Sequence, residues 1–330
     1  MNQLKENIKG QMMANILIEI QRFNPETDKA PYMQTYEVSE EILKGMTIFD
    51  ALAYIKDKID ATLTYRAFCR SAICGSCAMK INNRAKLACK EQILFHVRNN
   101  KVKIKPLENA TIIRDLAVDV DAALEKLKKL KPWLEEDHKK VPDSTKSESL
   151  VLPEEFAHYD HMTDCILCMS CYGSCSAEKA DSNYAGPFQF TKALRFIKDS
   201  RDGVDIDERV QLCVDNGLWD CVQCQMCLAA CPKGITPADD IQELRRYAIA
   251  SGDESMGAKR ATTWFRDVFA TGQIDKFDLP VNAKGDTKAR EAMKKEFIER
   301  GIPEERFKPQ PFDGIENLRK FIRKVEEEVK

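Results

Sequence analysis

Twelve of the thirteen cysteines in this chain of 330 residues fall into three groups of four. Thiols grouped in this way form either a disulfide framework or a set of metal ligands. Disulfides fit poorly, because cysteines this close in sequence do not pair comfortably and the chain is longer than typical disulfide-stabilised domains. We therefore interpret the thiols as metal ligands. The groups are Cys69, Cys74, Cys77 and Cys89; Cys165, Cys168, Cys171 and Cys175; and Cys221, Cys224, Cys227 and Cys231.

The first group has the spacing of plant-type 2Fe–2S proteins, a C-x4-C-x2-C motif followed later by a fourth cysteine. Small residues in CRSAICGSC let the backbone approach a flat two-iron cluster, and Gly75 can adopt a positive φ. The N–H groups of such a loop point at the sulfurs. A zinc knuckle is the alternative, but zinc sites usually contain two C-x2-C pairs. We predict a 2Fe–2S cluster on Cys69, Cys74, Cys77 and Cys89.

The second and third groups share the motif C-x2-C-x2-C-x3-C, which is the ferredoxin pattern for 4Fe–4S clusters. In two-cluster ferredoxins the fourth cysteine of each run binds the cluster of the other run, so crossed ligand sets are expected. The runs differ in that Pro232 follows one and Ser176 follows the other. The predicted sets are Cys165, Cys168, Cys171 and Cys231 for one 4Fe–4S cluster, and Cys175, Cys221, Cys224 and Cys227 for a third cluster.

The remaining candidate ligands are weaker. The cysteines already fill three sites, so the histidines are interpreted as ordinary side chains. Cys213 is interpreted as a buried small apolar residue. The chain has no P-loop, dinucleotide-binding or nucleophile-elbow motif, so we predict an electron carrier without catalytic residues of its own. The four histidines are His96, His138, His158 and His161.

Composition narrows the range of partners. With 51 basic and 53 acidic residues the formal net charge is −2, which gives no reason to expect nucleic acid or an anionic membrane surface. No apolar run approaches the roughly 20 residues of a membrane-spanning helix, and we expect no signal peptide. Membrane association is therefore expected to depend on a partner.

The elements around the first cysteine group predict a small sheet domain, which we place at residues 1–118. Isoleucines alternate with other residues over 16–20, the pattern of a half-buried strand, and residues 34–39 are a candidate hairpin partner. A hairpin over 79–89 that turns at Asn82-Asn83 and a strand over 101–107 follow. Together with an intervening helix, this is the order of a β-grasp fold.

The rest of the chain is predicted to be helical. Residues 119–150 form a linker that is helical up to 134 and then polar without an apolar period. An α-helical ferredoxin domain is placed at 151–252, with a helix that starts at Pro237 after Thr236, and a charged helical extension at 253–330. The predicted fold class is α+β, with an N-terminal β-grasp, 2Fe–2S ferredoxin-like domain and a C-terminal α-helical ferredoxin domain.

Much of the chain resembles the iron–sulfur subunit of succinate dehydrogenases and fumarate reductases. The resemblance implies a partner flavoprotein that interconverts fumarate and succinate at FAD. It also implies electron transfer through the 2Fe–2S, the 4Fe–4S and the third cluster to a quinone-side subunit. The matching stretches are RFNPETDKAPYMQTYEV, YRAFCRSAICGSCAMKIN, PLENATIIRDLAVD, DCILCMSCYGSC, GPFQFTKALRFIKDSRD and CPKGITP.

Two departures from the family pattern concern the third cluster. The common form lacks the cysteine found here as Cys224, and its third cluster is 3Fe–4S. We expect 4Fe–4S here, and 3Fe–4S if Cys224 is not a ligand. The familiar quinone-site residues are also missing, with Val222 in place of a common histidine and no tryptophan in SAEKADSNYAGP. A 4Fe–4S cluster in place of a 3Fe–4S cluster would lower the reduction potential at the exit, which suits a low-potential quinone or a thiol donor better than ubiquinone.

The sequence is accordingly similar to an unconventional group of the family that includes methylmenaquinol:fumarate reductase. This resemblance implies a cysteine-rich, membrane-associated partner subunit in place of haem-bearing anchors. The chain is expected to be peripheral at the inner membrane, on the cytoplasmic side by default and on the periplasmic side if co-exported with a flavoprotein that carries a twin-arginine signal. Two alternatives stay open: the iron–sulfur subunit of another flavin dehydrogenase, and a zinc-stapled scaffold.

Overall fold

The computed structural model describes residues 15–135, 148–275, 277, 279, 281, 285–303, 306 and 309–328. His138 and most of the predicted polar linker lie outside these residues. The chain divides into two compact units, 1–244 and 245–330. The three cysteine groups all belong to the first unit, and the last eight residues of the predicted α-helical ferredoxin domain, 245–252, belong to the second.

A five-stranded mixed sheet forms the N-terminal part of the first unit. The strands of the chain are β1 (Asn15–Arg22), β2 (Tyr32–Ser39), β3 (Ala78–Ile81), β4 (Arg84–Leu87), β5 (Lys101–Lys105), β6 (Ile112–Arg114) and β7 (Ala117–Val118). In the large sheet the order is β2-β1-β5-β3-β4, and β6 pairs with β7 separately. β1 is antiparallel to β2 and parallel to β5, which confirms the predicted β-grasp arrangement.

Local sequence explains the turns and caps of this domain. The β3–β4 hairpin turns at Asn82-Asn83, where both residues have positive φ, as a type I′ turn requires. The helices before the first cysteine loop are α1 (Glu40–Leu43) and α2 (Ile48–Lys58). Thr47 caps α2 through a capping box with Asp50. Buried residues of α2 join the buried isoleucines of β1 in one core.

Helices dominate the rest of the first unit. They are α3 (Asp121–Lys129), α4 (Pro153–Phe156), α5 (Asp160–Thr163), α6 (Ser176–Ala180), α7 (Pro187–Ile197), α8 (Ile206–Asp215), α9 (Met226–Ala230) and α10 (Pro237–Ala250). The prediction that the linker is helical up to residue 134 was wrong, because α3 ends at Lys129. Lys131 has a positive φ, and Pro132 lacks the N–H group that would continue a helix.

The segment after α3 is fixed to the helical domain by one buried arginine. The guanidinium of Arg209 on α8 is 2% exposed and forms a salt bridge with Asp202. It also donates to the carbonyl oxygens of Lys131 and Trp133, both at 2.8 Å. A buried charge is tolerated only when it is paired and hydrogen-bonded. Moving the segment away from α8 would break these bonds, so the network holds the segment in place.

The later helices carry no cysteine. Pro237 starts α10 as predicted, and the apolar face of α10 is buried at Ile241 and Leu244. The second unit contains α11 (Met256–Thr271), α12 (Thr287–Glu299) and α13 (Ile315–Glu328). Within the described parts of the chain, no helix is both long and apolar enough to cross a membrane.

Candidate metal centres

The loop after α2 surrounds its sulfur atoms with backbone N–H groups. Three N–H groups between residues 71 and 74 point at Cys69 Sγ from 3.3 to 3.4 Å, and that of Ala72 points at Cys89 Sγ from 3.2 Å. The positive φ angles of Arg70, Ala72 and Gly75 turn the backbone inward. The loop therefore presents donors to negatively charged sulfur.

The thiols of this group differ in how readily they ionise. Hydrogen bonds from the N–H groups of Ser71, Cys74 and Ile73 lower the pKa of Cys69 to about 6. Burial raises the pKa of Cys77 to about 12, and its Sγ lies 3.3 Å from Cys89 Sγ. Iron binding would have to displace the proton of Cys77, since metals bind the thiolate. The four cysteines fit a 2Fe–2S cluster by donor type and by the N–H groups around them.

The first cysteine loop packs directly against the second cysteine run. A Cβ atom added at Gly75 would lie 2.8 Å from Cys168 Cβ and 2.9 Å from Cys168 Cα. Gly75 also has φ +74°. Only glycine satisfies both conditions, so this residue brings two candidate metal sites together.

The two ferredoxin-like runs have the same unusual backbone. In the first run Leu167 and Met169 have φ angles of 53° and 61°. Gln223 and Gln225, at the equivalent positions of the second run, have 56° and 61°. Non-glycine residues seldom adopt these angles, so their repetition marks a specific loop. The residues on either side of Cys224 thus have the same backbone conformation as those on either side of Cys168.

The eight cysteines of the runs surround two cavities. Among the described residues, no three Cys, His, Asp or Glu side chains converge on one point as the ligands of a single ion would. One cavity is lined by Cys165, Cys168, Cys171 and Cys231. The other is lined by Cys175, Cys221, Cys224 and Cys227. Each cavity therefore has four thiols in its wall, the number of ligands that a 4Fe–4S cluster takes.

This grouping matches the crossed sets that the sequence predicts, and the ligand roles stay predictions. The last cysteine of each run lies in the cavity of the other run. Burial raises the pKa of Cys171 well above its usual value and that of Cys227 to about 12. Such thiols are neutral without metal, so iron binding would release protons.

Two residues that sequence reasoning missed lie beside these cavities. The ring of Tyr184 is fully buried and lines the second cavity. Lys192 is half-buried and close enough to Cys165 for its charge to act on that thiol, although burial lowers the pKa of the lysine. An isolated tyrosine or lysine carries no sequence signal of this kind, because only the fold brings it to the cavity.

The other candidate ligands have different surroundings. His96 Nε2 lies 2.7 Å from Glu91 Oε2, and His161 Nε2 lies 3.5 Å from Asp240 Oδ1. The backbone carbonyl of His158 accepts from Lys198. Cys213 is fully buried, and burial raises its pKa to about 12. Cys213 is therefore the buried small residue that was predicted.

Comparison with known families agrees with this geometry. Residues 17–125 match the "2Fe-2S iron-sulfur cluster binding domain" and residues 161–235 match the "4Fe-4S dicluster domain". The fumarate reductase iron–sulfur subunit of Mycobacterium tuberculosis is 37% identical over 246 residues, which cover 74% of this chain and 96% of that protein. This chain belongs to the iron–sulfur subunit family of fumarate reductases and succinate dehydrogenases.

Within this family the length of the match varies. The fumarate reductase subunit of Escherichia coli is 37% identical over 231 residues, covering 70% of this chain and 92% of its own length. The 8-methylmenaquinol:fumarate reductase subunit of Wolinella succinogenes is 37% identical over 304 residues, covering 89% and 94%. The Wolinella alignment covers more residues of this chain than the first unit contains, so it includes part of the second unit.

A solved structure shares the fold of this subunit family. A chain of the Mycobacterium smegmatis Sdh1 complex in the apo form superposes with a TM-score of 0.63 at 23% identity. The match covers 73% of this chain and 98% of the Mycobacterium smegmatis chain. The predicted α+β fold class, with a 2Fe–2S domain followed by a domain for two further clusters, is confirmed.

Proposed function

We propose that this chain carries electrons between a flavoprotein and a quinone-side subunit in a fumarate reductase or succinate dehydrogenase complex. When bound, iron–sulfur clusters accept and release single electrons. The residues of this chain would hold three such clusters in a row. The observation that carries the proposal is the contact of Gly75 with Cys168, which puts the first cysteine loop against the second run.

Each cysteine has one role in this proposal. Cys171 and Cys227 belong to different cavities, yet the charge of one would act on the other, so the two cavities are neighbours. In space, the sites therefore follow one another in the order first cysteine loop, first cavity, second cavity. The ligands would be Cys69, Cys74, Cys77 and Cys89 for 2Fe–2S; Cys165, Cys168, Cys171 and Cys231 for 4Fe–4S; and Cys175, Cys221, Cys224 and Cys227 for the third cluster.

The third cluster is proposed to be 4Fe–4S, with Cys224 as its fourth ligand. The left-handed residues Gln223 and Gln225 give Cys224 the loop geometry of Cys168, and its thiol lines the second cavity. A 3Fe–4S cluster would leave this thiol unused. The extra iron at the exit end would favour a donor or acceptor of low potential.

The exposed apolar side chains suggest where partners dock. Phe68, which precedes Cys69, and Ile73, which precedes Cys74, are 82% and 65% exposed. At the other end Val222 and Met226, which flank Cys224, are 66% and 50% exposed. Large exposed apolar residues beside functional sites commonly mark interfaces. We assign the first pair to the FAD-containing flavoprotein and the second pair to the quinone-side subunit.

The quinone-side subunit is proposed to be a cysteine-rich, membrane-associated protein of the methylmenaquinol:fumarate reductase type. The support is the Wolinella match, which spans 304 residues and so extends beyond the 244 residues of the first unit. The complex would then be peripheral at the inner membrane. It would lie on the cytoplasmic side, or on the periplasmic side if the flavoprotein carries a twin-arginine signal.

The proposal is tested on the anaerobically purified complex with its co-purifying flavoprotein. After reduction with limiting dithionite, fumarate should re-oxidise the clusters and pyruvate should not. Visible absorbance and EPR monitor the re-oxidation. Re-oxidation by pyruvate and not by fumarate would instead identify the rival hydroxy-acid dehydrogenase. A colourless protein with stoichiometric zinc would identify a scaffold.

The docking assignment has a matched pair of variants. Ile73→Glu places a charge in the first cysteine loop and should abolish co-purification of the flavoprotein. Ile113→Glu alters an isoleucine on β6 that is 50% exposed, and it should leave co-purification of the flavoprotein unchanged. Equal co-purification of the flavoprotein with both variants would show that the interface lies elsewhere on the protein.

A further inference from the structure

The second cavity contains a buried hydroxyl group without a partner. Tyr184 is 0% exposed and lines this cavity with Cys175, Cys221, Cys224 and Cys227. Its hydroxyl makes no hydrogen bond of ordinary geometry to any described group. Leaving a buried hydroxyl unpaired costs free energy, so an unpaired one that faces a proposed cofactor site suggests a bond to the cofactor.

Neighbouring residues fix the position of Tyr184. Its backbone carbonyl accepts from Lys126 Nζ at 2.9 Å, and its N–H donates to the carbonyl of Asp181 at 3.3 Å. Its ring lies 5.6 Å from the ring of Phe190, centre to centre. A Cβ atom at Gly217 would lie 3.1 Å from Tyr184 Cα, so the backbones are in close contact. The hydroxyl cannot swing away without disturbing this packing.

Four cysteine thiols share the wall of this cavity with Tyr184. A tyrosine hydroxyl ordinarily ionises only near pH 10, so at neutral pH it is protonated and can act only as a donor toward negative sulfur. Two further donors lie at the same wall: Gln223 Nε2 is 3.6 Å from Cys221 Sγ, and Ser176 Oγ is 3.8 Å from Cys224 Sγ.

We propose that the Tyr184 hydroxyl donates a hydrogen bond to a sulfur of the third cluster and thereby raises the reduction potential of that cluster. The inference rests on the proposed ligand set for the third cluster. The cluster gains one electron on reduction, and no covalent bond forms or breaks. The added negative charge strengthens the hydrogen bond, so the reduced form is stabilised more. Tyr184 would thus set the reduction potential of the last cluster on the electron path.

The test is an EPR-monitored redox titration of the full-length protein as wild type, Tyr184→Phe and Tyr159→Phe. Tyr184→Phe keeps the ring and removes the donor. We expect the potential of the third cluster to fall by about 59 mV, a roughly tenfold change in a one-electron equilibrium. The other two clusters should keep their potentials. Tyr159 is a matched control, because it is 1% exposed with an unpartnered hydroxyl and lines neither cavity.

The spectra separate failure of this inference from failure of the proposed ligand set. An intact third cluster with an unchanged potential in Tyr184→Phe would overturn the role of Tyr184 alone. A wild-type protein without a third cluster would overturn the ligand set as well. If Tyr184→Phe loses the cluster, replacing Tyr184 with 3-fluorotyrosine retains the hydroxyl and makes it a stronger donor. The potential must then rise, and an unchanged value would refute the proposal.

Discussion

The cysteine runs at 165–175 and 221–231 have the same spacing and the same left-handed positions but different surroundings. Cys168 lies against the backbone at Gly75, whereas its counterpart Cys224 is exposed. Two residues further along, Ser170 is fully buried and its counterpart Met226 is 50% exposed. Motif spacing thus sets the local loop, and the position in the fold decides which site is internal and which one faces a partner.

The largest expected difference between the runs follows from removing equivalent cysteines. Cys224→Ala should give a folded protein with one iron fewer per chain, because the lost ligand lies at the exposed edge of its cavity. Cys168→Ala should destabilise the helical domain, since it removes a half-buried side chain packed against Gly75 and cluster binding contributes to folding. Iron content, EPR and thermal unfolding measure both. Identical behaviour of the two variants would mean that exposure does not distinguish the sites.

A second pair of variants tests the contact that distinguishes the runs. Gly75→Ala must accommodate a Cβ atom 2.8 Å from Cys168 Cβ at φ +74°, and should lower the free energy of unfolding by roughly 2–4 kcal/mol. Gly45→Ala has the same kind of strain at φ +78° with nothing within 4 Å, and should cost about 1 kcal/mol. Denaturant titration measures both. Equal losses would show that the two cysteine loops are not in contact.

The pH dependence of the free energy of unfolding tests the sheet domain independently of the cysteine runs. Burial opposes ionisation of Asp60, but hydrogen bonds from Thr62, Tyr36 and Arg22 hold its pKa well below the usual range. Its contribution is therefore present above the unfolded pKa of about 4 and is lost as pH falls through the folded pKa. Asp60→Asn should cost about 1–2 kcal/mol at neutral pH, after allowance for solvent screening, and progressively less below about pH 4.

Chemical denaturation across this pH range measures the effect. The control is Glu26→Gln, which neutralises an exposed carboxylate of the same domain and should change stability little at any of these pH values. A constant difference between wild type and Asp60→Asn at all pH values would contradict the assigned pKa shift.

The smallest predicted effect concerns the charge beside the first cavity. Lys192 acts on Cys165, and a positive charge favours the reduced, more negative cluster. Lys192→Met should lower the potential of the middle cluster by tens of millivolts and leave the third cluster unchanged. Lys198→Met is the control on the same helix region, since Lys198 pairs with Glu243 at 2.7 Å. A shift in both clusters would indicate a general structural change.

Periodicity and spacing predicted much of this fold, because those signals are local. Alternation over residues 16–20 predicted β1, Asn82-Asn83 predicted the hairpin turn, and Pro237 predicted the start of α10. The end of α3 was misplaced because apolar periodicity continued past Pro132, where the backbone can no longer form helical hydrogen bonds.

The candidate sites were predictable to the level of cysteine groups but not of their surroundings. The ferredoxin spacing predicted which thiols would share a cavity, because in that pattern the fourth cysteine of each run belongs to the site of the other run. Nothing local indicates that Tyr184 lines the second cavity or that Gly75 contacts Cys168, since those contacts depend on tertiary packing. The exposure of Cys224 is likewise a property of the folded chain.

The most direct test of the central claim, that Cys224 completes a third 4Fe–4S site, is low-temperature EPR of the anaerobically purified wild-type protein. The account predicts a silent oxidised sample. After dithionite reduction it predicts one 2Fe–2S signal and two interacting 4Fe–4S signals. A sharp, near-isotropic 3Fe–4S signal at one spin per chain in the oxidised sample would contradict it, because Cys224 would then not be a ligand.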